Sequence, residues 1–205
     1  MSLLTAVLVI ASLASIGMMM QTNNAAAAAA AAAGNTIFKA HFSQNSAFAA
    51  KTIQEGNITT TAGAVAFKNT VGDSHTCVFM SKRDVSTGGT FLTDFEGCGS
   101  LDQLTVANNL GSATFSGTVT GYDYISEEEK TVTVNVDLTA TGKVQTETSS
   151  FRDITPDLKI VINENGHVRP ASGSLNISGD LTFSADDASG HIAKVREGFI
   201  DVEKV

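Results

Sequence analysis

Along residues 130–142, KTVTVNVDLTATG, apolar Val132, Val134, Val136 and Leu138 alternate without a break with Thr131, Thr133, Asn135 and Asp137. Period-two alternation of β-branched residues predicts a strand with one row of side chains in a core and the other in water, and leaves no helical stripe. Just upstream, Ala113, Phe115 and Val119 are spaced to line the same core face from an antiparallel neighbour, across a turn built from Ser126, Glu127, Glu128 and Glu129. The rest of the chain is expected to be organised around this pair.

From Asn35 onward the chain consists of short apolar runs separated by Gly, Asn, Ser and Asp, the spacing of an all-β domain. Residues 37–42 alternate Phe38, Ala40 and Phe42 against Lys39 and His41. Residues 46–54 and 59–68 follow as Ala-rich strand candidates, and AFAAKTIQ suits a short helix equally well because alanine favours helices and no alternation pins a register. Residues 75–82 and 89–96 form an expected hairpin through RDVSTGG, and residues 101–107 lead to the organising pair. Strands are then expected over 144–151, 158–162, 172–183 and 192–205, with a hairpin turn at Asn165-Gly166. The reading is all-β: an antiparallel two-sheet sandwich of about ten strands, with a flattened barrel as the alternative.

The first part of the chain is different. Residues 2–20, SLLTAVLVIASLASIGMMM, are apolar or weakly polar and are followed by QTNN and the alanines Ala25–Ala33. Residues 1–34 therefore read as a signal peptide or a membrane-anchor helix, and residues 35–205 as a single all-β domain. The small-residue tract offers A-x-A-type cleavage, although no Lys or Arg precedes the apolar run. An uncleaved anchor is the alternative, since the run falls within the about 17–25 residues that span a bilayer. Export to the extracellular space follows from the first reading, and attachment to the outer face of the cytoplasmic membrane from the second.

Charge narrows the partners. The net charge is −8 and the first charged residue is Lys39, so the whole charge belongs to the expected domain. Such a domain repels phosphate backbones, which disfavours nucleic acid, and leaves membrane contact to an uncleaved N-terminal segment.

The motifs FKAHF, VTGYDY, KTVTVNVDLTATG and HVRPASGSLNISG, taken in order, resemble a family of secreted, functionally uncharacterised all-β proteins of archaea and bacteria. The likeness runs over residues 38–205 and is poorest over 47–68. It implies export and an all-β domain, and it carries over no catalytic residue.

Candidate chemistry is sparse. Cys77 and Cys98 are the two cysteines of the chain, and an even count behind an export leader, flanking a hairpin, points to a disulfide. Free thiols and a metal pair of Cys77 with His75 are the alternatives, and the metal pair comes last because no CxxC, second nearby His or matching carboxylate accompanies it. His41, His75, His167 and His191 show no metal or catalytic spacing, and neither a G-x-S-x-G elbow nor a phosphate loop is present. Glu127–Glu129 and Asp186-Asp187 read as solvated acidic turns, since calcium loops need alternating oxygen ligands around a glycine. Arg152 and Arg169 are placed to pair with nearby carboxylates, and with no Trp the chain lacks a broad aromatic platform beyond Tyr122 and Tyr124. Asn57 and Asn176 open N-x-[ST] sequons. No catalytic residue, cofactor or metal is assigned. The functional expectation is a secreted or cell-surface domain with a non-enzymatic binding or structural role toward an extracellular ligand or surface partner. The alternative is a small secreted enzyme or ligand carrier with its site inside a barrel.

Overall fold

The structure is a computed structural model and describes residues 36–204. The expected leader or anchor, residues 1–34, lies outside the described residues. The strands are β1 Thr36–Glu55, β2 Ile58–Asn69, β3 Ser74–Asp84, β4 Thr90–Val106, β5 Ser112–Asp123, β6 Glu128–Ala140, β7 Gln145–Ile154, β8 Leu158–Gly179 and β9 Phe183–Lys204. All nine are antiparallel and belong to one hydrogen-bonded sheet in the order β6-β5-β4-β3-β2-β1-β9-β8-β7. Because β6 also pairs with β8, from Val132 opposite Gly179 to Ala140 opposite Ala171, the pairings run in a ring from β1 through β6 to β8, β9 and back to β1. β7 hangs outside that ring on the first half of β8.

Alternation in the sequence becomes alternation of burial. In β6, Val132, Val134, Val136 and Leu138 are buried while Thr131, Thr133, Asn135 and Asp137 are exposed. β5 turns Ala113, Phe115 and Val119 to the same side, as expected. The buried carboxylate of Asp123 fixes the turn that joins them. It accepts from the backbone N–H groups of Asp94 and Ile125, both at 3.1 Å, and lies 3.5 Å from Lys130. Burial alone would raise the Asp123 pKa, but these donors outweigh it and hold the carboxyl below its ordinary value.

Several expected boundaries shift. Residues 37–42 and 46–54 are one continuous strand, β1, rather than two strands or a strand and a helix. Alanine propensity loses here to pairing: Ala47 and Ala49 lie opposite Ala66 and Ala64 of β2 on one side, while β9 pairs on the other. Residues 89–96 and 101–107 likewise merge into β4, with a register shift between Leu101 and Gln103. Asn165-Gly166 is not a hairpin turn; it sits inside β8 at a β-bulge. A Cβ on Gly166 would lie 2.6 Å from the Lys194 carbonyl oxygen and 2.9 Å from the Val195 Cα, so glycine here permits close backbone approach rather than a reversal. Residues 172–183 divide at the turn after Gly179, whose φ is +117°, and SADDASG lies within β9.

Two apolar cores result. The larger one gathers the small residues of β1 and β2 with Val78, Met80, Phe95, Phe115, Leu138 and Leu175. The smaller one lies on the opposite face of β1, β9 and β8, where Phe42, Ile162, Val195, Ile200 and Val202 are buried and Phe38 and Phe151 pack against them.

Candidate functional site

The strand ring is interrupted in one wall. β1 pairs with β9 only as far as Ala50 opposite Ser189, although β1 continues to Glu55 and β9 begins at Phe183. The cause is a bulge in β9. Against β8, Gly173 faces Ala188 but Leu175 already faces Ala185, so Asp186 and Asp187 together stand against the single Ser174 and β9 carries one extra residue. Bulges bend the strand that carries them, and this one takes the start of β9 away from β1. Lys51 reaches over the gap to Asp187, Nζ to Oδ2 2.6 Å, and this bond holds the exposed Asp187 carboxyl below the usual carboxylate range.

Between the separated ends lies an open cleft of about 530 Å³. Its floor is apolar: Ile177 and Phe183 belong to the larger core and Ile53 packs against it. Glu55, Thr60, Lys82, Asn176 and Ser184 bring charges, hydroxyls and an amide to the lining. The walls are two tight hairpins. Gly56 at φ +61° helps close the β1–β2 hairpin, and the β8–β9 turn is tied to β6 by the backbone N–H of Thr131, which donates to the Asp180 carboxylate at 2.8 Å. Ser184 Oγ donates to Asn176 Oδ1 at 2.6 Å. A shallower hollow of about 720 Å³ lies near β7, lined by His41, Glu164, Glu197 and Phe199 among others. There the His41 and Phe199 rings meet at a tilt with centroids 5.1 Å apart, Lys39 sits over Phe199, and Ser149 donates to the Glu164 carboxylate, which leaves a largely self-satisfied polar surface.

Cys77 and Cys98 form a disulfide between directly opposed positions of β3 and β4. His75 contacts the Phe67 ring rather than a second ligand, with centroids 5.6 Å apart. Among the described residues no group of three or more His, Cys, Asp or Glu converges. His167 stands near Thr146, while His191 is buried on β9 against Phe48, and burial lowers its pKa from 6.5 to about 4. Among the described residues Arg169 pairs with no carboxylate; its Nε donates to the Gly142 carbonyl at 2.7 Å and ties the β6–β7 loop to β8. Tyr122 and Tyr124 meet edge to face on an exposed surface. The sequons share one end of the molecule: Asn57 is exposed in the β1–β2 turn beside the cleft, and Asn176 lines it.

Sequence reasoning missed the cleft. Its lining comes from five strands and carries no motif, and the single signal was the acidic pair Asp186-Asp187, which reads as a turn but forms the bulge. No protein family, curated protein or solved structure matches the chain.

Proposed function

We propose that this chain is an exported β-domain, secreted or held at the cell surface, whose role is non-enzymatic binding. In this reading the strand ring closes as a flattened barrel with a filled core, and the ligand is taken at the cleft. The observation that carries the reading is a coincidence of position: the wall opens where Ile53, Ile177 and Phe183 form an apolar floor beneath polar groups. An apolar concavity with a few convergent polar side chains is the usual form of a binding site. None of the lining residues is a histidine or cysteine, and the hydroxyls, amide, lysine and carboxylate suit recognition better than bond breaking.

The disulfide supports export, because such bonds persist in oxidising compartments. The wall formed by β5 and β6 does not suit a bilayer. β5 and β6 expose Thr118, Thr120, Thr131, Thr133 and Asn135 and bury their valines, the inverse of a membrane barrel with its apolar exterior.

A ligand carrier is the second reading, favoured by the volume of about 530 Å³. A carrier would hold its ligand below the rim, where Val132, Val134 and Leu175 already fill the space, so binding at the rim is the better account.

The test is amide-resolved NMR of the labelled domain against a library of small fragments and short end-blocked peptides. Perturbations gathered on residues 53–60, Lys82 and residues 176–184 are expected. Binding confined to other surfaces, or none, overturns the reading. Mass spectrometry of the N-terminus after fractionation into medium and membrane tests export: a start within or just after Ala25–Ala33 is expected, and intact residues 1–20 in the membrane fraction favour the anchored form.

A further inference from the structure

The cleft is bounded by two strand edges that face each other. Residues 51–55 of β1 pair with β2 from Lys51 opposite Ala62 to Glu55 opposite Ile58, and among the described residues nothing pairs with their other edge. Across the gap, β9 from Phe183 to Ala188 pairs with β8 alone. Each edge presents a row of backbone N–H and C=O groups, alternate residues pointing into the gap, and such rows are templates for an added strand. Neither edge carries a proline, and the charges nearest the opening, Lys51 and Asp187, neutralise each other across it.

Resting on the reading of the cleft as a binding site, we propose that it is a strand-acceptor slot. It takes an extended segment of another polypeptide, about five residues long to match 51–55, with apolar side chains at alternate positions. The chemistry of three surfaces selects this partner. A small apolar molecule satisfies the floor of Ile53, Ile177 and Phe183 but leaves both edges unpaired. A sugar meets the polar lining and not the floor. An extended peptide hydrogen-bonds to β1 on one side and β9 on the other, and its alternate side chains reach the apolar floor. Insertion displaces the Lys51–Asp187 pair, which is weak because the Asp187 side chain is 76% exposed.

Panning a displayed library of short random peptides on the immobilised, disulfide-bonded protein is expected to enrich sequences with apolar residues at alternate positions. A synthetic, end-blocked copy of an enriched sequence should slow amide exchange within 51–55 and 183–188 by about tenfold or more. N-methylation of alternate backbone amides, with side chains unchanged, should weaken binding by about tenfold, the loss expected for one or two backbone hydrogen bonds. Ile53→Asp should weaken it comparably, whereas Asp187→Ala, which removes the brace that insertion has to displace, should raise affinity. Equal binding of the N-methylated peptide without amide protection overturns the strand proposal and leaves a side-chain pocket. Fragments that perturb the cleft while no peptide does so overturn this proposal alone, and silence from both probes removes the binding reading as well.

Discussion

His191 should make the fold acid-labile. It lies on β9 directly between Phe48 of β1 and Pro170 of β8, its ring 5.3 Å from that of Phe48, and is 8% exposed. Burial disfavours the imidazolium and lowers the pKa from 6.5 to about 4. Between those values the unfolded chain binds a proton that the folded chain refuses, so stability falls as pH falls. The contribution is whole above pH 6.5, is lost progressively toward pH 4, and changes no further below that. From 6.5 to about 4, at about 1.4 kcal/mol per pH unit, the full loss is about 3 kcal/mol. His191→Phe keeps a flat ring against Phe48 and Pro170 and removes the titration. Urea unfolding of parent and variant at pH 7.5 and 4.5 should show the parent losing about 2 to 3 kcal/mol more than the variant over that interval. Parallel pH profiles for the two proteins would refute the reasoning.

Val134 is fully buried between Gly117 of β5 and Ile177 of β8, so Val134→Asp should cost several kcal/mol, of order half a typical domain's 5 to 15 kcal/mol. The exposed neighbour substitution Thr133→Lys should change stability by no more than about 0.5 kcal/mol, and equal thermal shifts for the two variants would contradict the one-sided burial of β6. The Cys77–Cys98 bond should protect both thiols from alkylation in native, non-reduced protein. Its reduction should lower stability by about 3 kcal/mol in the chain-entropy account, and full labelling of both thiols without reductant would count against it.

How much of this was legible in the sequence follows from where the constraints lie. β6 could be read directly because its two environments, core and water, alternate at the strand period along contiguous residues. The disulfide followed from cysteine number and a hairpin. β1 was obscure because its register comes from β2 and β9, strands distant in sequence, and alanines record neither face clearly. Asn165-Gly166 misled because an Asn-Gly pair has the same composition whether it reverses the chain or lets two backbones approach, and the choice is made by Lys194 and Val195 on β9. The pairing of β6 with β8, which completes the ring, joins segments related by no local pattern. The cleft was out of reach for the same reason: it exists because one bulge ends a long-range pairing early.

The ring of strand pairings is closed by β6 and β8 and open between the ends of β1 and β9. Amide hydrogen exchange of the unliganded domain, resolved residue by residue, tests both halves at once. Amides paired along 132–140 and 171–179 should exchange slowly, at rates approaching global unfolding, while alternate amides of 51–55 and of 183–188 that face the gap exchange fast. Fast exchange along the β6–β8 ladder, or uniform protection on both sides of the gap, would contradict the account.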